Sequence, residues 1–135
     1  VDVHDRTRPL LVTHTGVEGA YRHWRNLDDA QLKAIAASGG TVGIMYHGPY
    51  LHPERAKRDV DAVVQHIEHA LRVVGDDFVS LGSDWDGAIL PVRGLGSCLE
   101  LPVLVDRMLR RGIPAASVAK ILGQNFLRVV AALRG

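Results

Sequence analysis

The chain has 135 residues, 47% of them hydrophobic, and a formal net charge of +1 from 16 basic and 15 acidic side chains. That composition excludes a disordered tail, and it lacks the strong basic excess of a typical nucleic-acid binder. The single cysteine, Cys98, leaves no disulfide framework within the chain, and no run of ~18 apolar residues marks a membrane span.

The opening Val1-Asp2-Val3-His4-Asp5-Arg6 has no apolar core like that of a signal peptide, so a cytoplasmic, reducing setting is expected. It also lacks an initiating Met, which reads as a cut edge. Pro9 to His14 is a short apolar run without helical period, expected to be a strand buried on both faces. Gly16 and Gly19 mark a loop. Asp28 with Gln31 three residues on predicts a capped helix, carried by Leu32, Ile35 and Ala36 and stopped by Gly39-Gly40.

Thr41 to Tyr46 reads as a second buried strand, and His47 to Pro53 as a loop. Val60, Val63, Val64, Ile67, Ala70, Leu71 and Val74 form one helical stripe in a helix expected over about 54–74, closed by Gly75. Phe78 to Ser83 is the third predicted strand, and residues 84–98 form a glycine- and proline-rich loop. Leu101, Leu104, Val105, Met108 and Leu109 predict another helix, ended by Gly112. A last helical stretch runs from Ala115 to Leu133, interrupted near Gly123. Strands alternating with crossover helices imply an α/β fold with a parallel sheet.

Polar groups follow each strand. Thr13-His14-Thr15 ends the first, Tyr46-His47-Gly48 the second and Ser83-Asp84-Trp85-Asp86-Gly87 the third. In parallel α/β folds, chemistry gathers at the C-terminal ends of strands. Each residue also has a plainer reading. A strand-end histidine is often a satisfied polar residue, Asp84 and Asp86 suit turns or caps, and His47 suits an ordinary loop. His66 and His69, three apart, suit a solvated helix face better than a metal pair. His4, His23 and His52 have no evident partner, and Cys98 reads as incidental. Together, an imidazole and a carboxylate on neighbouring rims suit a hydrolytic metal site, which needs about three protein ligands per zinc. There is no His-Glu-x-x-His, Cys-x-x-Cys or Gly-x-Ser-x-Gly.

The segments Val12-Thr13-His14-Thr15, Arg25-Asn26-Leu27-Asp28-Asp29, Gly39-Gly40-Thr41-Val42-Gly43-Ile44 and Leu81-Gly82-Ser83-Asp84-Trp85-Asp86-Gly87 resemble, in that order, the membrane (renal) dipeptidase family of zinc metallopeptidases. Arg110-Arg111-Gly112 and Ile121-Leu122-Gly123-Gln124-Asn125-Phe126-Leu127-Arg128 are similar to that family's C-terminal end. The resemblance implies a (β/α)₈ TIM-type barrel with two zinc ions at its rim, of which residues 1–135 would be a C-terminal portion with about three strands. It implies His14 as a metal ligand, Arg25 as the clamp on the substrate's terminal carboxylate, Tyr50 near the substrate, and Asp84 as the group that moves a proton. A guanidinium fork suits a carboxylate because it binds both oxygens.

The family pattern also includes a His-x-Asp pair, a bridging glutamate and a further histidine. None is present: His4 lies too close to His14, and Glu18, Glu54, Glu68 and Glu100 stand outside the glutamate's context. A barrel needs ~250 residues. The expected activity is therefore hydrolysis of dipeptides, with little turnover by this chain alone. The alternatives are a non-catalytic half-barrel that pairs with a complementary N-terminal chain or a second copy of itself, and a related metal-dependent amide or lactone hydrolase. No nucleic acid or membrane partner is expected.

Overall fold

The computed structural model describes residues 7–135. The sequence reads Val1 to Arg8 as the end of a helix leading into the first strand; most of that span lies outside the described residues, as does His4. Leu11–Thr15 forms β1, Thr41–Ile44 forms β2 and Val79–Leu81 forms β3. The three strands are parallel and lie in the order β1-β2-β3. Helices Asp29–Ala37 (α1) and Val60–Val74 (α3) make the crossovers. A single turn, Gly48–Leu51 (α2), sits inside the predicted loop after β2. Leu101–Arg110 (α4), Ala115–Ala119 (α5) and Asn125–Arg134 (α6) complete the order.

Strand alternation sorts the sheet's two faces. Val42, Ile44 and Val79 point toward the helices and are fully buried. They join Leu32 and Ile35 of α1 and Val63, Val64 and Ile67 of α3 in one core. The opposite face carries Thr41, Gly43, Ser80 and Gly82, where the Thr41 hydroxyl donates to Ser80 Oγ at 3.1 Å. This second face is tightly curled. A Cβ built on Gly43 would lie 2.3 Å from the Thr13 carbonyl oxygen, and one on Gly82 would lie 1.9 Å from it. Two glycines thus let the end of β3 fold against β1, its non-neighbour.

β2 is buried along its length, as its apolar run predicts. β1 is not buried on both faces: Leu11 and Val12 are half-buried and Thr13 is exposed. The reason is its position at an end of the sheet, paired with β2 along one edge.

The predicted cap of α1 is present. Gln31 N–H donates to Asp28 Oδ1 at 2.8 Å, and Asp28 N–H donates to Gln31 Oε1 at 3.0 Å. α3 begins at Val60 rather than near Glu54, because Asp59 is its N-cap, accepting from the N–H groups of Asp61 and Ala62. Residues 55–57 form a separate 3₁₀ turn.

His66 departs from the solvated face expected of it. It is fully buried, accepting from the Val17 N–H at Nδ1 (2.9 Å) and donating from Nε2 to the Leu51 carbonyl (3.0 Å). Both ring nitrogens are thus used by backbone, which leaves none for a metal. His69 turns elsewhere and meets Asp29 Oδ1 at 2.7 Å.

The interruption near Gly123 is a π turn over Lys120–Gln124. Asn125 follows it, and its side-chain amide donates to the carbonyls of Asp76 and Val79 at 2.7 and 2.8 Å. The Ser117 hydroxyl and Lys120 Nζ hold the Asp76 carboxylate, which keeps it below the usual carboxylate range. By length and composition alone, Ala115–Arg134 is long and apolar enough to cross a membrane. In the fold its polar side chains instead anchor the segment leading into β3. Asn125→Leu would leave two carbonyls unpaired. It is expected to cost about 2–3 kcal/mol, read as a lower urea midpoint with unchanged slope.

Candidate functional site

Three strand ends build the site. Val12 pairs with Val42 and Thr15 with Ile44, so β1 uses one more residue than β2 over this stretch. The bulge falls at Thr13-His14, where it re-aims a side chain at the rim. The His14 ring is hydrogen-bonded through Nδ1 to the Thr13 hydroxyl at 2.8 Å. Its Nε2 lies 3.9 Å from Asp84 Oδ2. These two residues come from strands that are not neighbours, and the curl allowed by Gly43 and Gly82 brings them together.

Asp84 adopts φ +62°, a left-handed conformation that Asp tolerates better than most residues. Its carboxylate lies where a side chain at Gly87 would be: a Cβ there would sit 2.2 Å from Asp84 Oδ1. Gly87 N–H donates to the Asp84 carbonyl at 2.9 Å and closes the turn. Asp86 points to solvent. Trp85 fixes the loop beyond, donating from Nε1 to the Leu95 carbonyl at 2.9 Å and packing edge-on against the buried Tyr46.

Arg25 reaches the same place from the loop between β1 and α1. Its Nη2 donates to the His14 carbonyl at 3.2 Å. Its backbone N–H donates to His23 Nδ1. The neighbouring Asn26 is buried, and its amide nitrogen donates to the carbonyls of Tyr21 and Tyr50 at 2.9 and 2.8 Å. That one side chain ties the Arg25 loop to the Tyr50 turn. Gly16 leaves room for it, since a Cβ there would lie 2.3 Å from Asn26 Oδ1.

The Tyr50 ring packs against His23 (centroids 4.6 Å apart) and edge-on against His47 (4.4 Å). His47 is more than an ordinary loop residue. Leu90 N–H donates to its Nδ1 at 2.9 Å, joining the end of β2 to the loop after β3. Burial lowers its pKa, Asp84 raises it, and Arg58 and His23 lower it further. Its place after β2 was visible in the sequence, but its link to Leu90 is tertiary. His23 and Asn26 gave no sequence signal beyond adjacency to Arg25. Cys98 is exposed and lies outside this group.

The arrangement offers a guanidinium, a carboxylate and imidazoles on one rim. Among the described residues no group of three His, Cys, Asp or Glu side chains is arranged to hold a metal ion. His14 can present a single imidazole, with Asp84 too distant from it for a direct hydrogen bond. A zinc site needs about three protein ligands, so these residues fit part of a metal centre and not a whole one.

Known proteins share this arrangement of strands and helices. The family profile described as membrane dipeptidase (peptidase family M19) matches residues 3–134. An uncharacterized protein from the pqqA 5′ region of Klebsiella pneumoniae is 37% identical over 131 residues, covering 94% of this chain and 48% of the relative. The dipeptidase tcpJ of Claviceps purpurea is 33% identical over 122 residues, covering 90% of this chain and 29% of the relative. The solved metallo peptidase from Rhodobacter sphaeroides, liganded with a phosphinate mimic of the dipeptide L-Ala-D-Ala, superposes with a TM-score of 0.82 at 30% identity. The match covers 93% of this chain and 36% of that one. The chain thus spans half or less of the length of these relatives, and its three β/α units correspond to part of their TIM-type barrel. By its sequence and by its fold, the chain belongs to the membrane dipeptidase family, peptidase family M19.

Proposed function

We propose that this chain carries the substrate-carboxylate clamp and the proton-handling carboxylate of a zinc-dependent dipeptidase. One observation carries the reading: Arg25 is bonded to the backbone of His14, whose ring faces Asp84 at 3.9 Å. A dipeptide's terminal carboxylate, held by the Arg25 fork, would lie beside an imidazole and a carboxylate. Arg25 orients the substrate, with the Tyr50 ring as a neighbouring wall. Asp84 suits acceptance of a proton and its return to the leaving amine. His14 is the one metal ligand that the family resemblance assigns within the chain. Zinc would supply the activated water in such an enzyme. The other ligands of the family pattern have no counterpart in residues 1–135, and the chain alone is proposed to have little activity. Among the described residues, β1 and β3 each pair with a strand along one edge only, which supports pairing with a complementary chain or a second copy.

The carboxylate clamp can be tested without catalysis. Ala-Ala titrated into the ¹⁵N-labelled chain is expected to shift the amides of Arg25 and His14, while its C-terminal amide shifts them far less. Arg25→Ala is expected to weaken binding of Ala-Ala about tenfold or more, as loss of a charge-assisted pair does. Equal binding of the acid and the amide would overturn the assignment of Arg25.

A further inference from the structure

A second concave surface lies beside the site, and nothing in the dipeptide reading uses it. It is a cleft of about 470 Å³ lined by Pro49, Arg55, Arg58, Leu90, Pro91 and Arg93. Its volume is within the usual range for small-molecule sites. Three guanidiniums around one concavity repel one another unless something holds them or answers their charge.

Two of them are held by backbone. Arg58 Nε donates to the His52 carbonyl at 2.8 Å and its Nη2 donates to that of Pro53 at 3.0 Å. Its aliphatic stem packs on Gly48, where a Cβ would lie 3.0 Å from Arg58 Cβ. Arg93 donates to the carbonyls of Arg55 and Ala56. These bonds fix the two cations in place without neutralising them. The nearby carboxylate is Asp59, 3.6 Å from Arg93 and already occupied as the cap of α3. Lys57 and Glu54 neutralise each other at 2.7 Å. Three arginines against one carboxylate leave two positive charges facing the cleft. Arg55 is exposed, and its side chain is the third arm of the cleft. The remaining wall is apolar: Pro49, Leu90 and Pro91.

We propose that this cleft binds a small dicarboxylate, with its two carboxylates on the arginines and its short hydrocarbon chain against Leu90 and the two prolines. Pre-positioned guanidinium forks lower the ordering cost of binding such an anion. Inorganic phosphate offers charge without an apolar body, so the apolar wall should discriminate against it. The site adjoins the candidate catalytic rim through His47, which contacts Leu90 and feels both Arg58 and Asp84. The inference does not depend on dipeptide hydrolysis.

Glutarate titrated into the ¹⁵N-labelled chain at low ionic strength tests it. Saturable shifts are expected at Gly48, Leu90 and Arg93, and glutaramide, its neutral diamide, should produce none. Arg55→Gln removes an arm that supports no backbone contact and should weaken glutarate binding about tenfold. Arg72→Gln removes an equal charge from the exposed side of α3 and should leave binding unchanged. The proposal is overturned by any of three results: no saturable shift, an Arg55→Gln affinity equal to that of the parent chain, or phosphate binding as tightly as glutarate.

Discussion

Replacing Gly82 with valine is expected to lower the stability of the chain by about 3 kcal/mol or more, which is a fall in Tm on the order of 10 °C. A Cβ at this position would lie 1.9 Å from the Thr13 carbonyl oxygen and 3.0 Å from the His14 Cα, both backbone atoms that cannot rotate aside. The side chain would push the end of β3 away from β1. The same displacement would open the 3.9 Å approach of His14 to Asp84. Gly39 is the internal control: it stands at φ +78° with open space around its Cα. Gly39→Ala should therefore cost only the backbone strain of a left-handed residue, about 1 kcal/mol. Thermal unfolding of the two variants separates backbone crowding from conformational strain. A Gly82→Val chain as stable as the parent would remove the curl from the account of the site.

His66→Phe is expected to cost about 2–5 kcal/mol and to change the response to acid. The buried ring joins the Val17 N–H, at the start of the loop bearing Arg25, to the Leu51 carbonyl at the end of the Tyr50 turn. Phenylalanine fills the space but leaves both backbone groups buried and unpaired, each at about 1–3 kcal/mol.

Burial pushes the pKa of His66 down from 6.5 to about 4, against the pull of the Leu51 carbonyl and with help from His69 and His52. The folded chain therefore resists a proton that the unfolded chain accepts. The contribution is fully present above pH 6.5 and is lost as pH falls from 6.5 toward 4. Between pH 7 and pH 5 the loss is about 2 kcal/mol. Urea midpoints at the two pH values check this. The parent chain should lose that much more stability than His66→Phe over the same interval, because the two chains differ only at this ring. Equal losses would show that His66 is not held neutral by the fold.

Much of the architecture can be read from local pattern. Val42 and Ile44 on β2, the α3 stripe and the Asp28–Gln31 cap follow from spacing alone. The misread parts depend on contacts between distant segments. Whether Leu11 and Val12 are covered depends on what lies beyond the sheet edge, which an apolar run cannot report. The start of α3 turned on the Asp59 carboxylate choosing the N–H groups of Asp61 and Ala62, one polar residue among several in that stretch. His66 looks like a surface histidine by type, and only the convergence of Val17 and Leu51 makes it a core residue.

The site divides in the same way. His14 and Asp84 announce themselves by following strands, but their approach needs the β1 bulge and Gly82 together. Arg25 is an unremarkable loop arginine in the bare sequence. The role proposed for it comes from family resemblance, and its position rests on Asn26 binding the Tyr21 and Tyr50 carbonyls. The C-terminal segment around Asn125 shares the resemblance, yet its side chains brace β3 rather than reach the rim.

The proposed clamp and proton-handling group of a zinc dipeptidase would sit on this chain without the ligands for a complete metal centre. The deciding measurement is hydrolysis of Ala-Ala by the purified chain, with and without added zinc, beside Asp84→Asn. No zinc-stimulated turnover is expected in either protein. Zinc-dependent turnover by the parent chain that disappears in Asp84→Asn would contradict this, by showing that residues 1–135 suffice for a working centre.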